Sequence, residues 1–108
     1  MLEIICVALV VYFESRGEIY EGQQDVASVV WNRKEDPRWP SSSCEVAKQP
    51  KQFAVLFWPE NEKAWKVALS AAITTQNNPT TKAVFFATPG HHKDRTYLHT
   101  TGNHEFFL

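Results

Sequence analysis

Ten consecutive apolar residues, Ile4 to Phe13, run directly into the polar string "ESRGE". A helix on such a run is apolar nearly all round and must be buried on all sides. Glu3 to Ser15 is therefore predicted as a central helix, stopped at Gly17, because glycine readily takes the left-handed conformation that ends helices. After a turn through "EIYEG", the stretch "QQDVASVVWNRK" places Val26, Val29, Val30 and Arg33 at helical spacing, which predicts a second helix with one buried face. Trp65, Ala68, Leu69 and Ala72 fall at i, i+3, i+4 and i+7 within "ENEKAWKVALSAAITTQ", a third helix closed by "NNPT".

Between these helices the pattern dissolves. Residues 36–59 carry four prolines and a serine cluster. An irregular segment is expected there, with one short helical turn at "SSCEVAKQ" capped by Ser42 or Ser43. Long loops in compact domains are uncommon unless they bind something, so this one is expected to line a cleft. Further on, "KAVFFAT" is β-branched, aromatic and bounded by turn signals, a strand whose partner would be the C-terminal "NHEFFL" across the loop "PGHHKDRTYLHTTG". The sum is an α+β fold, mainly helical with a small antiparallel sheet or hairpin.

Composition narrows the function classes. At 108 residues the chain, 1–108, reads as a single domain. Its formal net charge of −1 comes with dispersed cations, so no nucleic acid partner is expected. The apolar run is about half the ~20 residues that cross a bilayer, so no transmembrane segment is expected. Nor does it read as a signal peptide, since Glu3 stands where positive charge belongs and no small-residue cleavage site follows. Fourteen aromatics, from seven Phe, four Trp and three Tyr, are core material first, but suit a groove that stacks on sugar rings. Cys6 and Cys44 form neither a CxxC nor a zinc spacing, leaving two small buried residues or a disulfide open. His91, His92, His99 and His104 match no zinc-protease spacing, so no metal and no cofactor is expected.

The candidate chemistry sits where the apolar run ends. A glutamate in the last turn of a buried helix meets apolar surroundings and the negative end of the helix dipole, and both disfavour its ionised form. That is how a carboxylic acid is kept protonated for use as a general acid, and it makes Glu14 a candidate for glycosidic bond cleavage. The competing reading is a polar helix end paired to Arg16 or Arg33.

The segments "VYFESRGEIYEGQQDVASVVWNR", "CEVAKQPKQF" and "TGNHEFF" carry, in order, an aromatic, E-[AS]-R-G-E, EGQ, NR, QF and a GNH-containing end. In this they resemble the SleB-type cell-wall hydrolase family, over nearly the whole chain. The resemblance implies a lysozyme-like fold related to lytic transglycosylases, with Glu14 as the catalytic glutamate. It further implies peptidoglycan glycan strands as substrate, cut between N-acetylmuramic acid and N-acetylglucosamine. Protonated Glu14 would donate to the leaving oxygen and then, as a carboxylate, take the proton of the muramoyl 6-hydroxyl to give a 1,6-anhydro product. If water attacks instead, a second carboxylate is needed, with Glu18, Glu21 and Asp25 as candidates. Ser15, Glu18, Gln52, Phe53, Asn103 and His104 are the matching candidates for substrate binding. Gly17 and Gly22 read as backbone devices, and Asn32 and Arg33 as ligands of either a loop or the substrate.

The segment after "QF" and the ending "EFFL" depart from the family pattern. Two other classes compete: a zinc-dependent N-acetylmuramoyl-L-alanine amidase, for which the histidines matter, and a non-catalytic glycan-binding module, for which Glu14 does not. A monomer acting on the bacterial cell wall is expected, made in the cytoplasm and released by a holin, virion delivery or lysis, in the manner of a phage endolysin.

Overall fold

A computed structural model describes residues 1–49, 58–92 and 94–108. Among them the chain forms α1 (Leu2–Ser15), α2 (Tyr20–Glu35), α3 (Ser43–Lys48), α4 (Glu62–Thr75), β1 (Phe85–Ala87), β2 (Tyr97–Thr101) and β3 (His104–Phe107). The α+β fold with a small antiparallel sheet is the one the pattern predicts.

The apolar run makes α1 the centre of the molecule, packed against α2, α3 and α4. Val7, Ala8, Val10 and Val11 are fully buried and Tyr12 nearly so. The opposing faces are Val26, Val29 and Val30 of α2 and Ala68, Ala71 and Ala72 of α4. Alanines on α4 let its backbone come close, and the Trp31 indole Nε1 donates to the Ala72 carbonyl at 3.2 Å. Asn61 caps α4 by accepting from the Ala64 amide at 2.9 Å.

Ser42 is the cap of α3, accepting from the Glu45 amide. Ser43 is instead buried and bonded to Glu3, whose carboxylate also accepts from the Ser43 amide at 2.6 Å. Burial alone would raise the Glu3 carboxyl, but these bonds outweigh it and hold it below its ordinary value. Beside them Cys6 and Cys44 are joined in a disulfide that ties α1 to α3, which resolves the open reading of the two cysteines.

The sheet order is β1-β3-β2, antiparallel throughout. β3 pairs with β1 as expected, Phe85 opposite Phe107 and Phe86 opposite Phe106. The other partner, β2, lies within what the sequence reading took for a loop. Apart from Leu98 its residues are polar or amphipathic, with Tyr97 and Thr100 exposed as on an edge strand, so its hydrophobic alternation is weak. The β2–β3 turn is two residues, Gly102 and Asn103, with Gly102 at φ 60°. α2 also begins earlier than predicted, at Tyr20, because the Ile19 carbonyl already accepts from Gly22 and Gln23.

Candidate active site

α1 ends as predicted. Gly17 has φ 95°, and the chain turns away before Glu18 can continue the helix. Glu14 is left half-buried in the last turn of α1, a turn with no basic residue. It lines an open hollow of about 330 Å³ with Phe86, Ala87 and Thr88 from the β1 region, His91, His92 and His104. The carboxyl thus stands in a cleft wall and is not sealed inside the core.

The arginines proposed as bland partners are engaged elsewhere. Arg16 lies over the Tyr12 ring at 4.6 Å and donates to the Tyr12 hydroxyl at 2.5 Å. Arg33 is buried, and its Nε donates to the Val84 carbonyl at 2.7 Å. On the other side of the α1 end a second hollow is lined by Tyr12, Phe13, Arg16, Trp58 and Glu60. Trp58 is 64 % exposed there, its ring 5.4 Å from that of Trp65. Of the long proline-rich segment, then, Trp58 lines this hollow, and Asp36 and Pro37 line another.

Glu18 turns to the β2–β3 turn. Oε1 accepts from the Asn103 amide at 2.8 Å and Oε2 from the Asn103 side chain at 3.0 Å. These two bonds favour the charged form and hold the Glu18 carboxyl below its ordinary value of 4.5. His104 follows on β3; its Nδ1 lies 4.0 Å from Glu18 Oε1, buried and without a hydrogen bond, while its ring stands edge-on to Phe86. Glu14 and His104 therefore meet at one cleft, with Glu18 and Asn103 behind it.

Ser15 is 2 % exposed, and its hydroxyl turns back to the Val11 carbonyl at 2.8 Å. It is packed inside the helix end, away from the cleft, because one residue past Glu14 is about 100° round the helix. Asn32 donates to the Thr81 and Ala83 carbonyls, so of its two readings the loop ligand is the one observed. Gln52 and Phe53 lie outside the described residues. Of the candidate second carboxylates, Asp25 is buried and accepts from the Thr80 hydroxyl at 2.6 Å, while Glu21 is exposed on the first turn of α2.

The histidines disperse. His99 bonds Thr81 and Thr101 and stacks on Phe106, while His92 packs between Phe85 and Phe107. Among the described residues no three His, Cys, Asp or Glu side chains converge as metal ligands. Sequence reasoning missed Phe86, Thr88 and the His91–His92 pair as cleft wall; the histidine cluster had raised only the question of a metal.

A family model described as Cell Wall Hydrolase matches residues 17–107. The chain belongs to the cell wall hydrolase family. The matched range begins three residues after Glu14, so the case for that side chain is carried by its position in the cleft. The chain is 33 % identical over 92 residues to a spore cortex-lytic enzyme of Bacillus subtilis, covering 81 % of this chain and 30 % of that protein. It is 38 % identical over 74 residues to that of Oceanobacillus iheyensis, covering 64 % and 27 %. It thus spans roughly a third of the length of these curated relatives. Among solved structures it resembles the catalytic domain of the germination-specific lytic transglycosylase SleB from Bacillus anthracis, with 30 % identity, TM-score 0.78, and 98 % and 93 % of the two chains covered. The SleB catalytic domain of Bacillus cereus is similar at 31 % identity, TM-score 0.78, with 98 % and 89 % covered. These matches bear out the family resemblance and the fold that it implies.

Proposed function

We propose that the chain is a peptidoglycan-cleaving glycosidase, a lytic transglycosylase that cuts the N-acetylmuramic acid–N-acetylglucosamine bond with Glu14 as acid and then base. The observation that carries this reading is that Glu14 is the one carboxylate lining the hollow it shares with His104 at the end of α1 among the described residues, Glu105 lining the adjoining hollow along the sheet face. An inverting hydrolase needs a second carboxylate on the far side of the sugar, and a retaining one needs a nucleophile. Here Glu18 is held by Asn103 and Asp25 by Thr80. Residues 50–57 and 93 contribute no Asp or Glu.

The atoms balance with one group. The Glu14 proton passes to the leaving oxygen as the C1–O bond breaks, and positive charge develops at C1 and the ring oxygen. The muramoyl 6-hydroxyl then closes on C1, its proton returns to Glu14, and the 1,6-anhydro product leaves without consuming water. Phe86 and His104 form the wall against which the sugar lies, and Glu18 with Asn103 acts as positioning support for His104. The names of the SleB structures and of the spore cortex-lytic enzymes support this activity.

The proposal extends to action on the cell wall as a monomer, after release by a membrane pore, a virion or lysis. The Cys6–Cys44 disulfide supports work outside a reducing cytoplasm. Mass spectrometry of digested peptidoglycan tests the chemistry. Anhydromuramoyl ends are expected, with Glu14→Gln slower by about 10³-fold. Reducing ends would mean a hydrolase, and released stem peptides that vanish in a strong chelator would mean the amidase. A protein that binds glycan strands without cutting them would leave the binding-module reading, and a Glu14→Gln variant that cuts like wild type would overturn Glu14 as the acid.

A further inference from the structure

His91 and His92 line two adjoining hollows, the one that holds Glu14 and a neighbour formed with Gly90, Arg95, Tyr97, Glu105 and Phe107. The cleft therefore continues past the candidate acid along the sheet face. In this extension Arg95 is an exposed residue held in one pose. Its guanidinium lies 3.5 Å from the centroid of the Phe85 ring, and its Nε donates to His92 Nδ1 at 3.3 Å. His92 is itself fixed, its rings 5.8 and 5.7 Å from those of Phe85 and Phe107 and its backbone at φ 54°, a conformation non-glycine residues adopt at a cost of about 1 kcal/mol.

Positive charge is concentrated beneath this pose. The Arg33 guanidinium lies 5.2 Å from the same Phe85 ring and 5.0 Å from Trp39, which Arg38 also covers at 4.7 Å. Arg38 is paired with Asp36. Burial first, and then the neighbouring Arg95 and Arg38 cations, push Arg33 down to about 10. Although Glu105 lines the same hollow, no carboxylate among the described residues comes within 4.0 Å of an Arg95 nitrogen. A planar fork with one nitrogen anchored and its face on a ring is preorganised for a carboxylate.

We propose that Arg95, seated on Phe85 and steered by His92, forms a subsite beside the Glu14 cleft for a carboxylate of the peptide borne on the muramoyl lactyl group. This rests on the glycan-cleaving reading. The sugar backbone is otherwise uncharged next to the scissile bond, so the lactyl substituent is where an anion must come from. Its own carboxyl, once the peptide is removed, is the second possible source. The subsite makes the enzyme a reader of the substituent as well as of the glycan.

The test compares kcat/KM on native peptidoglycan strands, on the same strands with peptide carboxylates amidated, and on strands stripped of peptide by an amidase. Wild type is expected to prefer native over amidated strands about tenfold through KM, and Arg95→Gln to reduce that ratio to near one. Arg95→Lys, which keeps charge but loses the fork, should fall between. Equal losses on native and amidated strands would reduce Arg95 to a structural residue and overturn the subsite, as would an unchanged ratio. An Arg95-dependent advantage that persists on stripped strands would move the anion to the lactyl carboxyl and overturn the peptide assignment. Co-sedimentation of Glu14→Gln with native and amidated strands reads the same preference without turnover. Failure of the glycosidase reading would therefore show in the digestion products, and failure of the subsite in this binding ratio.

Discussion

Gly102→Ala tests the clamp behind the cleft. Gly102 sits at φ 60°, and a Cβ built there would overlap Glu18 Oε1, the atom that accepts from the Asn103 amide. Two costs combine. A non-glycine residue in the left-handed region costs about 1 kcal/mol. The Glu18 carboxylate can swing aside, being the end of a flexible side chain, but only by releasing Asn103, and charge-assisted bonds of this kind contribute about 2 kcal/mol. Gly90 supplies the internal control, with φ 96° and nothing within 4 Å of its built Cβ, so Gly90→Ala carries the backbone cost alone. Urea unfolding followed by circular dichroism should place Gly102→Ala about 3 kcal/mol below wild type and Gly90→Ala about 1 kcal/mol below. In Tm the gap between the two variants should be about 10 °C. In a Glu18→Ala background the excess cost at Gly102 should disappear, since the atom that Cβ meets is gone. Equal destabilisation by the two alanines in the wild-type background would refute the clamp.

The disulfide closes a separation of 38 residues, so Cys6→Ser with Cys44→Ser should cost about 4 kcal/mol by the loop-entropy relation, measured by urea midpoint against the oxidised protein; a loss below about 1 kcal/mol would count against that account. Glu18 is depressed by its Asn103 bonds, so its stabilisation is fully present above the unfolded value near 4.5 and is lost as pH falls through the lower folded value. Glu18→Gln should accordingly be less stable than wild type at pH 7 and lose less between pH 5 and pH 2; parallel acid curves would show that Glu18 does not contribute to the acid limb. Trp58→Ala removes an exposed ring from the hollow beside Phe13, and should raise KM for glycan strands three- to tenfold, about 1 kcal/mol, with Tm nearly unchanged. An unaltered KM would exclude that hollow from the glycan path.

What could be read from the sequence follows the strength of each local signal. α1 was legible because ten apolar residues in succession admit little but a buried helix, and its end was legible because Gly17 is the residue that takes positive φ there. The β1–β3 pairing was legible from two aromatic runs. β2 was not, although "TGN" between "YLHT" and "HEFF" is the Gly-Asn signal of a two-residue hairpin. An edge strand with exposed Thr and Tyr has little apolar alternation, and a polar texture was taken for loop. Glu14 could be named a candidate because an acid stands in the last turn of a buried helix, and the family resemblance is what singled it out. Apart from His104, the cleft wall could not, because Phe86 and His92 come to lie beside it only through long-range packing around the sheet, which leaves no local trace. The engagement of Ser15 with Val11 was likewise invisible, since helix phase and not residue type decides which way a hydroxyl points.

Glu14 and Glu18 stand four residues apart, and on one continuous helix they would share a face and repel. Gly17 prevents this by breaking the helix between them, so that one carboxylate enters the cleft and the other turns to Asn103. The two roles then depend on each other. Asn103 immediately precedes His104, and His104 is a wall of the cleft that holds Glu14, so whatever fixes the turn also fixes the wall. Gly102→Ala should for that reason lower kcat/KM at temperatures where the variant remains folded, although the substitution touches neither Glu14 nor the substrate. Gly90→Ala gives no guide to that effect, because Gly90 lies in the neighbouring hollow with Arg95. A Gly102→Ala enzyme with lowered stability but wild-type kcat/KM would mean that the wall is held by the β3 ladder alone, and that Glu18 stabilises the turn without shaping the site.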